Sequence, residues 1–328
     1  MSFIRSFALT LGLAGMQLLL AQGANAQAKY PSRTVTIVVG LSAGSAIDLV
    51  VRLLAEQVAP KLGQTFVIDN VIGSNGIVPG MRVAKAEPNG YTLGAYTNAV
   101  QTILPHMGQR LQFDPIQDFI PITMLGFLPS LLIVNQDLPV KSLRELIDLA
   151  KKNPGKLNYG SAGFGSWQHL AMEQLRGETG MDLTHVPYRS AAQAVQAVAT
   201  ADVNAFWTPI SVARPFMEAG KLRPLVLGED ERSPELPDVP TVTETGLGGI
   251  GYSVWSAIYA PAGTPAEIVE RLRVEFTAAL EQPDMRRRIA SFGLVVRTAH
   301  GDDFMQKVHK EGALMATTIK RLGVAPQR

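Results

Sequence analysis

Cysteine is absent from the 328-residue chain. That excludes a thiolate nucleophile, a cysteine metal site and a lipid-modified cysteine behind an export signal. An excess of charge of one sign is lacking too. Lys and Arg number 30 against 28 Asp and Glu, a formal net charge of +2. No electrostatic footprint for nucleic acid follows from that balance. The run Arg286-Arg287-Arg288, flanked by Met285 and Ile289, reads as a solvated helix face. Beyond the first residues no stretch of 18 unbroken apolar residues occurs, so no membrane span is expected. Histidines are few: His106, His169, His185, His300 and His309. His169 and Glu173 share a helix face at i, i+4, but no third ligand stands near, so no metal is expected.

The first residues carry what the rest lacks. Arg5 precedes an apolar run from Phe7 to Leu20, about 14 residues against the roughly 20 of a membrane span. Ala24-Asn25-Ala26 follows as a small-x-small cleavage site, which makes 1–26 a signal peptide and Gln27 the first mature residue. Ala26-Gln27-Ala28 would serve nearly as well and would start the chain at Lys29. Removing Arg5 lowers the formal charge to +1. Roughly 300 residues remain, enough for two domains with separate cores.

One pattern recurs along those residues: a β-like apolar run, a Gly/Ser-rich turn, then an amphipathic helix. It appears as TVTIVV, Gly40 to Ser45 and IDLVVRLLAEQV. It returns as KLNYGSAGFGS leading into WQHLAMEQL, and as LTHVPYRS leading into AAQAVQAVA. Helix N-termini carry unpaired N–H groups and the positive end of the macrodipole. Small residues let an anion approach that backbone. Several such termini converging on a cleft would receive a carboxylate or phosphate without a metal or a nucleophile.

The alternation of strands (33–39, 64–69, 91–96) with helices (47–58, 77–86) predicts α/β structure with parallel strands and right-handed crossovers. Ile47, Val50, Val51, Leu54 and Val58 mark the core face of the first helix. Ser45 to Asp48 and Ser142 to Glu145 have capping-box spacing. Thr264-Pro265-Ala266-Glu267 caps another helix, with proline at its first position. Further strands are expected near 157–160, 183–186, 203–207 and 222–227. The segments 120–134 and 247–260 read as extended crossings that bracket an inserted second domain, with a cleft and hinges between the two.

Two motifs compete with the receptor reading. Gly40-Leu41-Ser42-Ala43-Gly44 matches G-x-S-x-G between a strand and a helix, the setting of a nucleophile elbow. About 14 mature residues precede Ser42, too few for the earlier strands and oxyanion loop of that hydrolase fold. Gly163-Phe164-Gly165 is half a dinucleotide fingerprint, but Gln168 stands at the third glycine position and the turn is not the first βα turn, so no cofactor is expected. Trp167 opens a helix behind a glycine turn, where a ligand would sit, while Trp207 and Trp255 read as core or hinge packing.

Strings along the whole mature chain carry a resemblance. YPSRTVTIVV, EPNGYTLGAYT, FDPIQDFIPIT, LPVKSLRELIDLAKKNPGKLNYGS, HVPYRS, RSPELPDVPTVTETG and APAGTPAEIVERL resemble the periplasmic solute-binding proteins of tripartite tricarboxylate transporters, the Bug or TctC-like receptors. The resemblance implies an α/β two-domain "Venus flytrap" fold of the type II periplasmic-binding-protein class. Lobe 1 would comprise 27–125 plus 253–328, and lobe 2 would comprise 126–252. It implies a soluble periplasmic monomer, without enzymatic activity, that presents a small organic carboxylate to integral membrane permease subunits. Backbone N–H groups and hydroxyls in βα turns would grip the carboxylate. A ligand sensor serving a signalling partner, or a Ser42 hydrolase, are the alternatives.

Carried onto this chain, the resemblance makes Leu41, Ser42, Ala43, Ser45, Asp48, Ser74, Asn75 and Asn98 ligand-binding candidates in lobe 1. In lobe 2 it does so for Ser161, Phe164, Gly165, Ser166, Trp167, Tyr188, Arg189, Ser190 and Thr208. Several depart from the family pattern. Ile47 replaces a hydroxyl in the first turn, and Ser190 replaces a glycine. Phe164 and Trp167 enter a turn that is usually polar, and Thr208 stands where Asp is common. Loss of an acid at Thr208 disfavours an ammonium group, and ring faces favour flat apolar bodies. The expected ligand therefore has one carboxylate and an apolar or aromatic body, with Arg189 available to a second acid group.

Overall fold

A computed structural model of the chain describes residues 30–73, 76–108, 110–247 and 253–323. The expected signal peptide and the candidates Ser74 and Asn75 lie outside the described residues.

The first half begins as the alternation predicts: β1 (Val35–Val39), α1 (Ala46–Leu62), β2 (Phe66–Asn70), α2 (Ile77–Ala84) and β3 (Thr92–Thr97). β1 pairs in parallel with both β2 and β3. Two later strands complete this sheet, β4 (Phe119–Leu128) and β10 (Val254–Pro261), in the order β2-β1-β3-β10-β4. β10 runs antiparallel to β3 and β4, so the sheet is mixed rather than parallel throughout. Val35, Ile37 and Val39 on one face of β1 meet Val50, Val51, Leu54 and Val58 of α1 in a shared core, as the helical spacing requires.

The expected crossing over 120–134 is two strands, β4 and β5 (Ser130–Asn135), in different sheets. Pro129 separates them. A proline donates no ladder hydrogen bond, so the chain leaves one sheet there and enters the other. Pro121 is tolerated because β4 is an edge strand. The second sheet follows the order β7-β6-β8-β5-β9, with β6 (Leu157–Ser161), β7 (Leu183–Pro187), β8 (Ala205–Pro209) and β9 (Leu222–Leu227). Its helices are α4 (Leu143–Lys152), α5 (Trp167–Thr179), α6 (Ala191–Ala199) and α7 (Ile210–Glu218). The short helix α3 (Ala99–Thr102) follows β3 in the first half.

After β10 the chain ends in α8 (Ala266–Leu280), α9 (Pro283–Ser291) and α10 (Gly301–Arg321). Pro265 is the N-cap of α8 rather than its first residue, and no side chain caps that helix, because Thr264 Oγ1 instead donates to the Pro261 carbonyl. α10 touches both halves. Its Phe304 and Val308 join the first-sheet core beside Trp255 and Tyr259. Its Met315 and Ile319 pack with Ile103 and with Leu170 of α5, on the second sheet's side.

Candidate functional site

A cavity of about 620 Å³ opens between the two sheets. Two turns that follow parallel strands supply its polar edges. In the first, Ser45 caps α1 with extended backbone (φ −66°, ψ 155°), and its Oγ accepts the Asp48 N–H at 3.3 Å. In the second, Ser166 caps α5 with nearly the same backbone (φ −65°, ψ 156°), and its Oγ accepts the His169 N–H at 3.4 Å. Ser45, Ala46 and Ile47 line the cavity from one side, and Gly165, Ser166 and Trp167 line it from the other. The first N–H groups of an α-helix have no intrahelical partner. Two helix starts therefore bring donors and positive dipole ends to one space from separate sheets.

Asp48 is 1 % exposed and lies behind the first turn. Its carboxylate accepts from the Gly44 N–H at 2.8 Å, Asn70 Nδ2 at 2.8 Å and Arg52 Nε at 3.0 Å. Asn70 Nδ2 also donates to the Leu41 carbonyl at 3.0 Å. The acid thus ties the turn to the end of β2. Burial alone would raise its pKa, but the hydrogen bonds from Arg52, Asn70 and Gly44 together hold it below the usual carboxylate range. Asp48 shapes the turn and is saturated by it.

The second turn rests on a histidine pair. His169 Nδ1 accepts the Gly165 N–H at 3.1 Å, and its ring stacks on His185 with centroids 4.0 Å apart. His185 Nε2 lies 2.7 Å from Ser161 Oγ. Burial, then the neighbouring His185, push His169 down to about 4; burial also lowers His185. Both rings are neutral at neutral pH, and the proton of His169 sits on Nε2. Gly165 must stay small and left-handed (φ +74°), because a Cβ there would come within 2.8 Å of Met107 Cε. Met107 belongs to the first-sheet half, so the two sides touch at this point.

Of the candidates read from the sequence, Leu41, Ser45, Asn98, Gly165, Ser166 and Trp167 line the cavity. The others do not. Ser42 and Ala43 are exposed at the tip of the first turn. Ser161 is buried in its bond to His185. Phe164 is 60 % exposed, its ring 4.9 Å from that of His169. Tyr188 packs against the α6 core, and Ser190 is the N-cap of α6, its Oγ accepting the Gln193 N–H. Arg189 is exposed beside it. Thr208 is fully buried in β8, where its Oγ1 has no protein partner.

What the sequence reading missed is the floor. Val100, Ile103, Leu104 and Met107, with Leu128 and Val254, line the cavity from the first-sheet half. The signal was present as an apolar stretch after β3, but nothing local distinguishes a floor from ordinary core. Among the described residues no Asp, Glu, Lys, Arg or His lines the cavity. Ser74 and Asn75, between the lining Gly73 and Gly76, are uncharged by sequence.

With that geometry in view, the similarities decide the class. The tripartite tricarboxylate transporter family receptor model matches residues 50–324. The chain belongs to this receptor family. A UPF0065 protein of Bordetella pertussis is 32 % identical over 326 residues, 99 % of this chain and 100 % of the relative. A solved Rhodopseudomonas palustris protein with bound malate is 32 % identical with a TM-score of 0.68, covering 88 % of this chain and 100 % of that one. An R. palustris protein with adipate is 33 % identical with a TM-score of 0.74, over 90 % and 99 %. The receptor is thus an α/β solute-binding protein of the periplasmic-binding type, in a family of substrate-binding proteins rather than enzymes. No described helix is long and apolar enough to cross a membrane.

Proposed function

We propose that this receptor captures a small organic carboxylate in the periplasm, closes its two lobes around it, and hands it to the membrane permease of a tripartite tricarboxylate transporter. The observation that carries the reading is the pair of serine-capped helix starts, from separate sheets, lining one uncharged cavity. The carboxylate would sit between the N–H groups of Ala46 and Ile47 and those of Trp167 and Gln168, with the Ser45 and Ser166 hydroxyls beside them. Trp167 and the aliphatic floor would cover the ligand's body. The signal-like segment 1–26 supports export. The lobes would be 27–125 plus 253–328 and 126–252, moving about the strand junctions at Pro129 and near Ser253. Ligand binding favours the closed state because only that state offers both helix starts at once.

Thermal shifts of the mature chain, refolded to remove co-purified ligand, test this against mono-, di- and tricarboxylates, amino acids and aromatic acids. A ligand at 100 times its Kd stabilises by about 2.7 kcal/mol. That should raise the melting temperature by several degrees, at roughly 2–4 °C per kcal/mol. No shift with any carboxylate would sink the reading.

A further inference from the structure

We infer that a groove behind the hinge strands sets the balance between open and closed receptor, and that Arg297 and Glu231, paired across it, hold the ligand cleft open. The inference rests on the lobe movement proposed above and goes beyond it, since it places control of closure in residues that touch no ligand.

A second space, of about 980 Å³, lies between the two halves. Residues 295–299 and α10 wall it on one side, and residues 228–234 on the other. Pro129 and Ser253, at the two strand junctions, line it too. Successive side chains of a strand point to opposite faces. β4 and β10 use that alternation to divide two spaces. Leu128 and Val254 are register partners, and both line the ligand cavity. Phe127 and Trp255 are the neighbouring partners, and both line the groove. The same two strands therefore carry the cavity on one face and the groove on the other. Rotation of a lobe about them narrows one space as it widens the other. A closed cleft goes with a wide groove, and an open cleft with a narrow one.

Charge across the groove favours the narrow form. Arg297 sits over the Phe127 ring, 5.3 Å from its centroid, and lies 3.7 Å from the Glu231 carboxylate on the opposite wall. That exceeds an ordinary hydrogen bond, so the attraction still grows as the groove narrows. Arg232 is held within its own half by Glu244, and Lys307 by Glu311. Among the described residues, Arg297–Glu231 is the one ion pair that joins the two walls. Both side chains are more than half exposed, so the pair biases an equilibrium rather than locking it.

The lack of cysteine lets two introduced ones be labelled cleanly. Ala43 and Arg189 are exposed in turns of opposite lobes. Spin labels on Ala43→Cys and Arg189→Cys, read by pulsed electron resonance without ligand, report the width of the cleft mouth. Two changes are then made separately in the labelled mature chain, each checked for native melting behaviour. Glu231→Arg sets two cations across the groove. Gln306→Trp adds bulk at an exposed position of α10 that lines it. Each should enrich the shorter, closed distances, Glu231→Arg by about two- to fivefold.

The Glu231→Arg effect should fade in 1 M salt, where the screening length is about 3 Å. Adding Arg297→Glu restores an opposite pair and should return the natural distribution. An effect of Glu231→Arg that survives both salt and the swap overturns the role given to the pair. If neither variant shortens the distance, or either lengthens it, the whole inference falls. Distances that respond while every carboxylate of the panel above is silent remove the receptor reading and leave this inference standing. Carboxylate binding with unmoved distances does the reverse.

Discussion

Asp48 puts a negative charge in the first turn of a helix whose opening residues line the cavity. A carboxylate there stabilises the helix dipole, but unpaired it would repel an anionic ligand. The contacts from Arg52, Asn70 and Gly44 resolve the conflict by saturating it. Asp48→Asn removes the charge-assisted bonds, which are worth about 1.5–3 kcal/mol each when the acceptor is ionised. The variant should melt several degrees lower at pH 7. The folded-state pKa is depressed, so this contribution is present above the unfolded value near 4 and is lost as pH falls through the folded value. The gap between the two proteins should therefore narrow progressively as pH falls below about 4. A gap that stays constant on acidification from pH 7 would show that the carboxylate's charge is not what holds the turn.

At the level of elements, the junction between the sheets has its own carboxylate. Glu229 follows β9 and accepts from the Ser130 N–H at 3.2 Å and from Ser253 Oγ at 2.7 Å. It thereby fastens the start of β5 to the residue before β10, the two places where the chain passes between sheets. Burial raises its pKa to about 7 against the pull of the Ser253 and Ser130 hydrogen bonds and of Lys307, with Asp230 adding to the rise. The folded state then holds a proton that the unfolded state releases near pH 4. The stability contribution is complete below that value and is lost as pH rises through about 7. Glu229→Gln keeps an acceptor without the charge. It should match the natural chain near pH 4.5 and melt higher above pH 7.5, read by calorimetry across that range. Equal melting temperatures at pH 8 would show that the carboxyl ionises there without cost.

Across the whole molecule, coupling between the halves runs through α10 as well as through the strand junctions. Ile103, Leu170, Met315 and Ile319 form one buried cluster that joins the cavity floor, the helix α5 whose start lines the cavity, and the C-terminal helix. Arg321 lies against Gly177, where a Cβ would collide with its guanidinium, so the end of α10 follows the surface of α5 closely. Two sheets with separate cores would unfold independently if only two strand connections held them. The shared cluster predicts a single calorimetric transition, shifted as a whole by ligand. Two resolved peaks, with only one moved by ligand, would show that α10 does not couple them.

The local physics of the turns was legible in the residues. Ser45, Ser142 and Ser166 each follow a small or polar turn and precede a helical apolar period, and a hydroxyl at that point caps whatever helix forms. The alternating strands and helices are likewise consequences of backbone chemistry acting within a few residues, whereas the segment 120–134 read as one crossing and the structure divides it at Pro129 into strands of two sheets. The cavity floor was not legible, because Val100, Ile103 and Leu104 obey the same hydrophobic pattern as core residues. Only the packing of α10 and the second sheet against them leaves one side open. Nor could spacing reveal that Asp48 turns inwards to Arg52 and Asn70, or that Thr208 is buried in β8. Those outcomes depend on which distant element arrives beside each side chain. The sequence alone therefore determined the capped turns and the α/β alternation, which are set by neighbours in the chain. The tertiary structure alone decided which turns face one another and that, among the described residues, no charged side chain lines the space between them.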